Sequence, residues 1–138
     1  MKSSITSLIF ILLFTKCSNT DDVIKPDILN GTWQVENISG GFAGIDDDYE
    51  TGTITWTFTT ATSKLQVINN NGLAGIIYDG LPTEEYGYSI LKVENDMFLH
   101  INGQEFAGIT ILNGQLTLDQ NKTTTGTGAD GFVLRFKQ

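Results

Sequence analysis

The 138-residue chain has one cysteine (Cys17), one histidine (His100) and one arginine (Arg135). A lone cysteine excludes any intramolecular disulfide, so packing and hydrogen bonds must hold the fold. A lone histidine leaves little for the acid–base and nucleophile-activating devices built around an imidazole. Basic residues are scarce too, eight against 16 acidic ones, for a formal charge of −8. So acidic a surface repels phosphate backbones and argues against nucleic acid as a partner. The longest apolar run, Leu8 to Phe14, falls far short of the roughly 20 residues a membrane-spanning helix needs. From Ile28 onward no window of 11 residues places apolar positions at helical spacing, so helices are not expected there.

What is present divides into three parts. Lys2 and the run Leu8 to Phe14 have the order of a secretory signal peptide, a basic start before a short apolar core. Residues 1–16 are therefore read as a leader. Residues 17–27 are polar and carry Pro26, as suits a tether. Ile28 to Gln138 is rich in Gly, Thr, Ile and aromatics and forms the domain.

Cys17 stands directly after the apolar core and is followed by Ser18-Asn19-Thr20-Asp21-Asp22. This arrangement resembles the processing site of bacterial lipoproteins, in particular surface lipoproteins of the Bacteroidetes type. Phe14 and Lys16 stand where that motif usually carries Leu and a small residue. The resemblance implies cleavage before Cys17, acylation of its sulfur and amine, and an anchor in the outer membrane or cell surface. Loss of Lys2 and Lys16 would leave 16 acidic residues against six basic ones, a formal charge of about −10.

Strand signals fill the domain. In Thr53-Ile54-Thr55-Trp56-Thr57-Phe58-Thr59 the apolar residues take one face and four threonines the other, a pattern suited to a pleated, half-buried surface. Trp33 and Val35 alternate likewise with Thr32, Gln34 and Glu36. Further strands are expected at Lys64–Ile68, Tyr86–Val93, Met97–Ile101, Glu105–Ile111, Gln115–Asp119 and Phe132–Lys137, eight in all. Asn102-Gly103, Asn113-Gly114 and Asp130-Gly131 have the chemistry of tight hairpin turns. The first two separate consecutive strands, so Met97 to Asp119 should be a three-stranded meander. Residues 39–52, 69–82 and 121–128 read as longer loops. The expected fold is all-β, an eight-stranded antiparallel up-and-down barrel, with a two-sheet β-sandwich as the alternative.

Gly31-Thr32-Trp33 at the first strand resembles the Gly-x-Trp signature of lipocalins, and the whole span from Leu29 to Lys137 is similar to small lipocalin-like domains of bacterial lipoproteins. The resemblance implies that Trp33, with Gly31, closes one end of the barrel and meets an arginine of the last strand, here Arg135. Phe132, Leu134 and Phe136 share a face, so Arg135 reaches Trp33 only across a bulge or a frayed end.

No catalytic set stands out, and no enzymatic activity, cofactor or metal is expected. Asp46-Asp47-Asp48-Tyr49-Glu50 lacks the spacing of a calcium loop and reads as a solvated acidic loop. His100 lies opposite Met97, Leu99 and Ile101 with no nucleophile motif to serve. Gly126 to Gly131 lacks the Gly-Lys-Ser/Thr ending of a phosphate loop. Glu84, Glu85, Glu94 and Glu105 offer carboxylates, but nothing selects a glycosidase pair. Two functions remain. Trp56, Tyr86 and Tyr88 are candidates to line a barrel mouth that binds a small, partly apolar ligand. Alternatively, these rings fill the barrel and the domain works through its outer surface and loops as an interaction or assembly module. An eight-stranded barrel is just wide enough for either.

Overall fold

A computed structural model describes residues 27–138. After a short 3₁₀ turn at Asp27–Leu29 come β1 (Gly31–Gly40), β2 (Ile45–Asp48), β3 (Ile54–Thr59), β4 (Lys64–Asn69), β5 (Glu84–Val93) and β6 (Asp96–Ile101). Then follow β7 (Gln104–Leu112), β8 (Gln115–Asp119), β9 (Lys122–Thr123), β10 (Gly126–Thr127) and β11 (Phe132–Lys137). Eight strands pair antiparallel in the ring β1-β3-β4-β5-β6-β7-β8-β11, and β11 returns to β1. The domain is thus a closed up-and-down barrel, not a two-sheet sandwich. Closure leaves the ring without an open edge. β2 lies outside the ring, and β9 and β10 form a separate two-stranded ladder.

The alternation legible in the sequence sets the inside of the barrel. Ile54, Trp56 and Phe58 of β3 are buried, as are Leu65 and Val67, Leu116 and Leu118, and Leu134 and Phe136. The turns behave as their chemistry requires in two cases. Asn102-Gly103 and Asn113-Gly114 have φ values of 50° and 79°, and 53° and 76°, as a type I′ turn demands. Asp130-Gly131 differs, since neither residue has positive φ. Gly131 instead lies against the chain at Gln120 and Asn121, where a Cβ would come within 2.8 Å of backbone. Its glycine allows a close approach, not a hairpin.

Two bulges adjust the barrel wall. In β1 the register against β11 slips between Val35 and Asn37, so Glu36 and Asn37 are both only half-buried between inward-facing Val35 and Ile38. In the β6–β7 pair Leu99 faces Ala107 but His100 faces Glu105. Phe106 is the extra residue, and its ring lies 5.8 Å from that of Trp56. An extra residue in one strand re-aims side chains in this way.

The ring has two unlike ends. β1 enters at one end, the entry end, beside the 3₁₀ turn, and the strand pairing returns Lys137 of β11 opposite Gln34 there. Gly31 approaches Gln138 at this end, a Cβ built on it lying 3.8 Å from Gln138 Nε2. The opposite, loop end carries the β1–β2 hairpin, the β2–β3 connection, the 70–83 loop between β4 and β5, and the start of β11.

Candidate functional site

The aromatics expected at a barrel mouth are inside the core. Trp56 is fully buried, and its ring packs on Phe58, Phe106 and Phe136 with centroids 5.2–6.2 Å apart. Tyr88 meets Phe58 edge-on at 5.0 Å, and its hydroxyl reaches Thr60 Oγ1 at 3.4 Å. Tyr86 donates its hydroxyl to the Pro82 carbonyl at 3.0 Å. Both tyrosine hydroxyls are thus used within the chain. Trp56, Tyr86 and Tyr88 do not line an open mouth, because inward alternation in so narrow a ring drives large side chains to fill it. Gly80 of the 70–83 loop lies over the loop end of this core. Its Cβ position is 3.7–3.9 Å from Leu134, Ile38 and Trp56. With φ at +90°, glycine is the residue that holds this position without strain.

At the entry end Trp33 is buried and donates Nε1–H to the Leu29 carbonyl at 2.8 Å. The indole therefore seats Leu29, itself fully buried, against the barrel end. Gly31, with φ at +119°, makes the bend into β1. The expected contact between Trp33 and Arg135 does not form. Arg135 is exposed on the outer wall and donates Nη1–H to Asn37 Oδ1 at 3.0 Å. The bulge in β1 lies close by, but strand alternation keeps Arg135 on the face opposite Leu134 and Phe136. Cys17 and the tether up to residue 26 lie outside the described residues.

The outer wall around β1 is self-neutralised. Asn37 donates Nδ2–H to Asp46 Oδ1 and Asp48 Oδ1, both at 2.9 Å, while accepting from Arg135. Lys137 pairs with Glu36 at 3.1 Å. Each acid of this hollow therefore faces a donor.

The loop end is different. A groove of about 460 Å³ is lined by Asp47, Asp48, Tyr49 and Glu50 on one side and by Asn70 to Leu73 and Ile76 on the other. Its lining includes three carboxylates and no cation. Tyr49 has a buried hydroxyl with no hydrogen-bond partner. Burial, then the nearby charges of Asp47 and Asp79, push its pKa up. The second wall is fixed by hydrogen bonds from its asparagines. Asn69 donates to the Asp79 and Leu81 carbonyls, Asn71 Nδ2–H to Asp79 Oδ2, and the Asn70 amide to the Thr53 carbonyl at 2.9 Å. Tyr78 stacks on Phe132 at 4.0 Å and its hydroxyl accepts from Gln120 at 3.0 Å. Apolar side chains nonetheless protrude from this end. Phe42 at the hairpin tip is 94% exposed, Leu73 71% and Ile77 63%.

His100 is on the outer wall, as alternation requires, half-buried and opposite Glu105 across the β6–β7 pair, with no hydrogen-bond partner at Nδ1. The β9–β10 ladder is strapped to the barrel. Glu105 accepts from the Thr124 amide at 2.7 Å and hydroxyl at 2.6 Å, and Lys122 pairs with Asp96 at 2.6 Å. The Lys122 stem covers Gly108, where a Cβ would overlap it at 2.7 Å. Among the described residues no group of three or more His, Cys, Asp or Glu side chains is placed to hold a metal ion.

The sequence reading missed β2, since three consecutive aspartates hide any apolar alternation. Gly40-Gly41 and Gly44, bracketing Phe42, were the available sign of a hairpin. Comparison with family models, with curated proteins and with solved structures finds no match.

Proposed function

We propose that this chain is an exported, lipid-anchored lipoprotein whose lipocalin-like barrel works as an interaction module through the surface of its loop end. The observation that carries this reading is the filled interior. Trp56, Tyr86 and Tyr88 pack within the barrel, and Gly80 lies over it. The loop end offers solvent an acidic groove lined in part by exposed Leu73, with Phe42 and Ile77 also exposed at that end. Exposed apolar groups rimmed by polar ones mark contact surfaces. The tether would enter at the opposite end of the ring, so an anchor on Cys17 would leave the loop end facing away from the membrane. Ten residues extend to about 35 Å at most, enough to clear lipid headgroups.

Two measurements test this together. Labelled palmitate should enter the chain, and Cys17→Ala should abolish that incorporation and leave the leader uncut. Native mass spectrometry of protein recovered from its host's membranes should give the mass of the acylated chain without a retained small molecule. Titration with fatty acids, sterols, porphyrins and phenolics should leave tryptophan emission unchanged, because both indoles are buried in packed surroundings. A retained ligand, or saturable quenching by one of these probes, would return the barrel to the carriers.

A further inference from the structure

β2 is the one strand of the main sheet paired on a single side. β1 is long enough to pair with β3 through Gly31–Gln34 and then with β2 through Asn37–Gly40. β2 therefore flares away from the ring, and its far edge has no strand against it among the described residues. The Tyr49 amide donates to the Glu36 carbonyl at 2.9 Å. In an antiparallel ladder such bonds recur at every second residue. Ile45, Asp47 and Tyr49 thus direct their backbone groups to β1, and Asp46 and Asp48 direct theirs outward. Asp48, one of these two outward-directed residues, lines the 460 Å³ groove, which Asn70 to Leu73 and Ile76 also line.

We propose that this groove receives an extended, cationic segment of a partner protein, which adds to β2 as an antiparallel or parallel strand. An unpaired edge is a template for strand addition, with main-chain bonds giving affinity and side-chain contacts specificity. Four residues of β2 span about 13 Å, room for a partner strand of similar length. The charge of the site selects the occupant. Asp47, Asp48 and Glu50 line the groove without a cation, whereas the neighbouring hollow already contains Arg135 and Lys137. Leu73 and Ile76 would cover an apolar residue alternating with the basic ones. A second copy of this chain is disfavoured, since two β2 edges would bring the three aspartates of each copy together, and like charges across a strand pair repel.

The inference rests on the interaction-module reading and sharpens it to one edge. Its test uses the full chain in detergent micelles and an eight-residue peptide of alternating Lys and Val. Amide exchange over residues 45–49 should slow at least tenfold on binding. A second peptide, N-methylated at alternate residues, keeps its charge and apolar groups but cannot pair along one edge. The pair of peptides with opposite methylation phases should include one that binds at least tenfold more weakly. Asp48→Pro removes an outward amide and should weaken binding to a similar extent. Asp47→Asn with Glu50→Gln should weaken it at least fivefold. Equal binding of both methylated peptides, or no protection at 45–49, would overturn strand addition whether or not the proline variant folds. Concentration-dependent protection of 45–49 without peptide would also overturn it, in favour of self-pairing. A host protein crosslinked through position 42 or 73, with every peptide arm negative, would reject the β2 site while keeping the module reading.

Discussion

The two ends of the barrel are closed by different kinds of interaction. At the entry end, beside the 3₁₀ turn, a buried indole and a buried leucine pack on each other and share one hydrogen bond. At the loop end the cover is a 14-residue loop, 70–83, held largely by Asn, Asp and Thr side chains bonding to backbone, with one stacked ring pair. Burial of apolar area dominates stability, whereas loops held mainly by hydrogen bonds, with few buried apolar contacts, open at lower cost. The contrast assigns stability to one end and adaptable surface to the other, the usual division between a scaffold and its recognition loops.

The sharpest way to break this contrast is at Trp33. Trp33→Ala removes a fully buried ring and the Leu29 bond, and should cost about 3–5 kcal/mol. A domain of this kind is stable by only about 5–15 kcal/mol, so the denaturant midpoint should fall steeply. A loss no larger than that of Thr55→Ala would place the stabilising contacts elsewhere.

At the loop end the corresponding change is Tyr78→Ala, which removes the stack on Phe132 and the Gln120 bond. Such a pair and one hydrogen bond together are worth about 1–3 kcal/mol. Hydrogen exchange should rise within 70–83 while the ring strands keep their protection. Uniform loosening of the whole barrel would show that the loop is part of the scaffold.

The smallest effect concerns the strap on the outer wall. The Thr124 hydroxyl, helped by its amide, holds the Glu105 carboxyl below the usual glutamate range. A carboxylate with a depressed folded pKa stabilises the native state above its unfolded pKa and loses that contribution as pH falls through the folded value. Exchange at Thr124 should therefore increase on acidification below the ordinary glutamate range. Glu105→Gln should flatten that dependence and leave the barrel's melting temperature nearly unchanged. A melting temperature that follows Glu105 would make the strap integral to the fold.

The barrel itself was legible in the sequence because alternation with period two is a local signal. Ile54, Trp56 and Phe58 identify their strand, face and burial without any knowledge of neighbours. The eight ring strands are legible for this reason, and two of the three expected turns through their Asn-Gly pairs. β2 escaped because its pairing depends on β1 being long enough to serve two partners on one edge, which no local pattern records. Phe106 and Arg135 illustrate the same limit. A bulge decides that Phe106 turns inward, and only the register of β11 on β1 sets Arg135 opposite Asn37. The candidate groove combines both failings, since its two walls come from segments that read as loops.

The approach of Gly31 to Gln138 has a further consequence. Every ring pairing joins strands that are consecutive or separated by a short excursion, except the seam between β1 and β11, which spans almost the whole domain. Closing contacts so distant in sequence slows folding. A short linker joining Gln138 to Asp27, so that Leu29 is kept, with new termini at the exposed Asn113-Gly114 turn, would convert the seam into an ordinary hairpin connection. Exposed loop tips tolerate such cuts. The circular permutant would keep every strand pair of the ring except a linked β7–β8 hairpin. Its rate-limiting search would move to that newly opened pair, so the position of the seam is a choice of chain connectivity rather than a demand of the barrel.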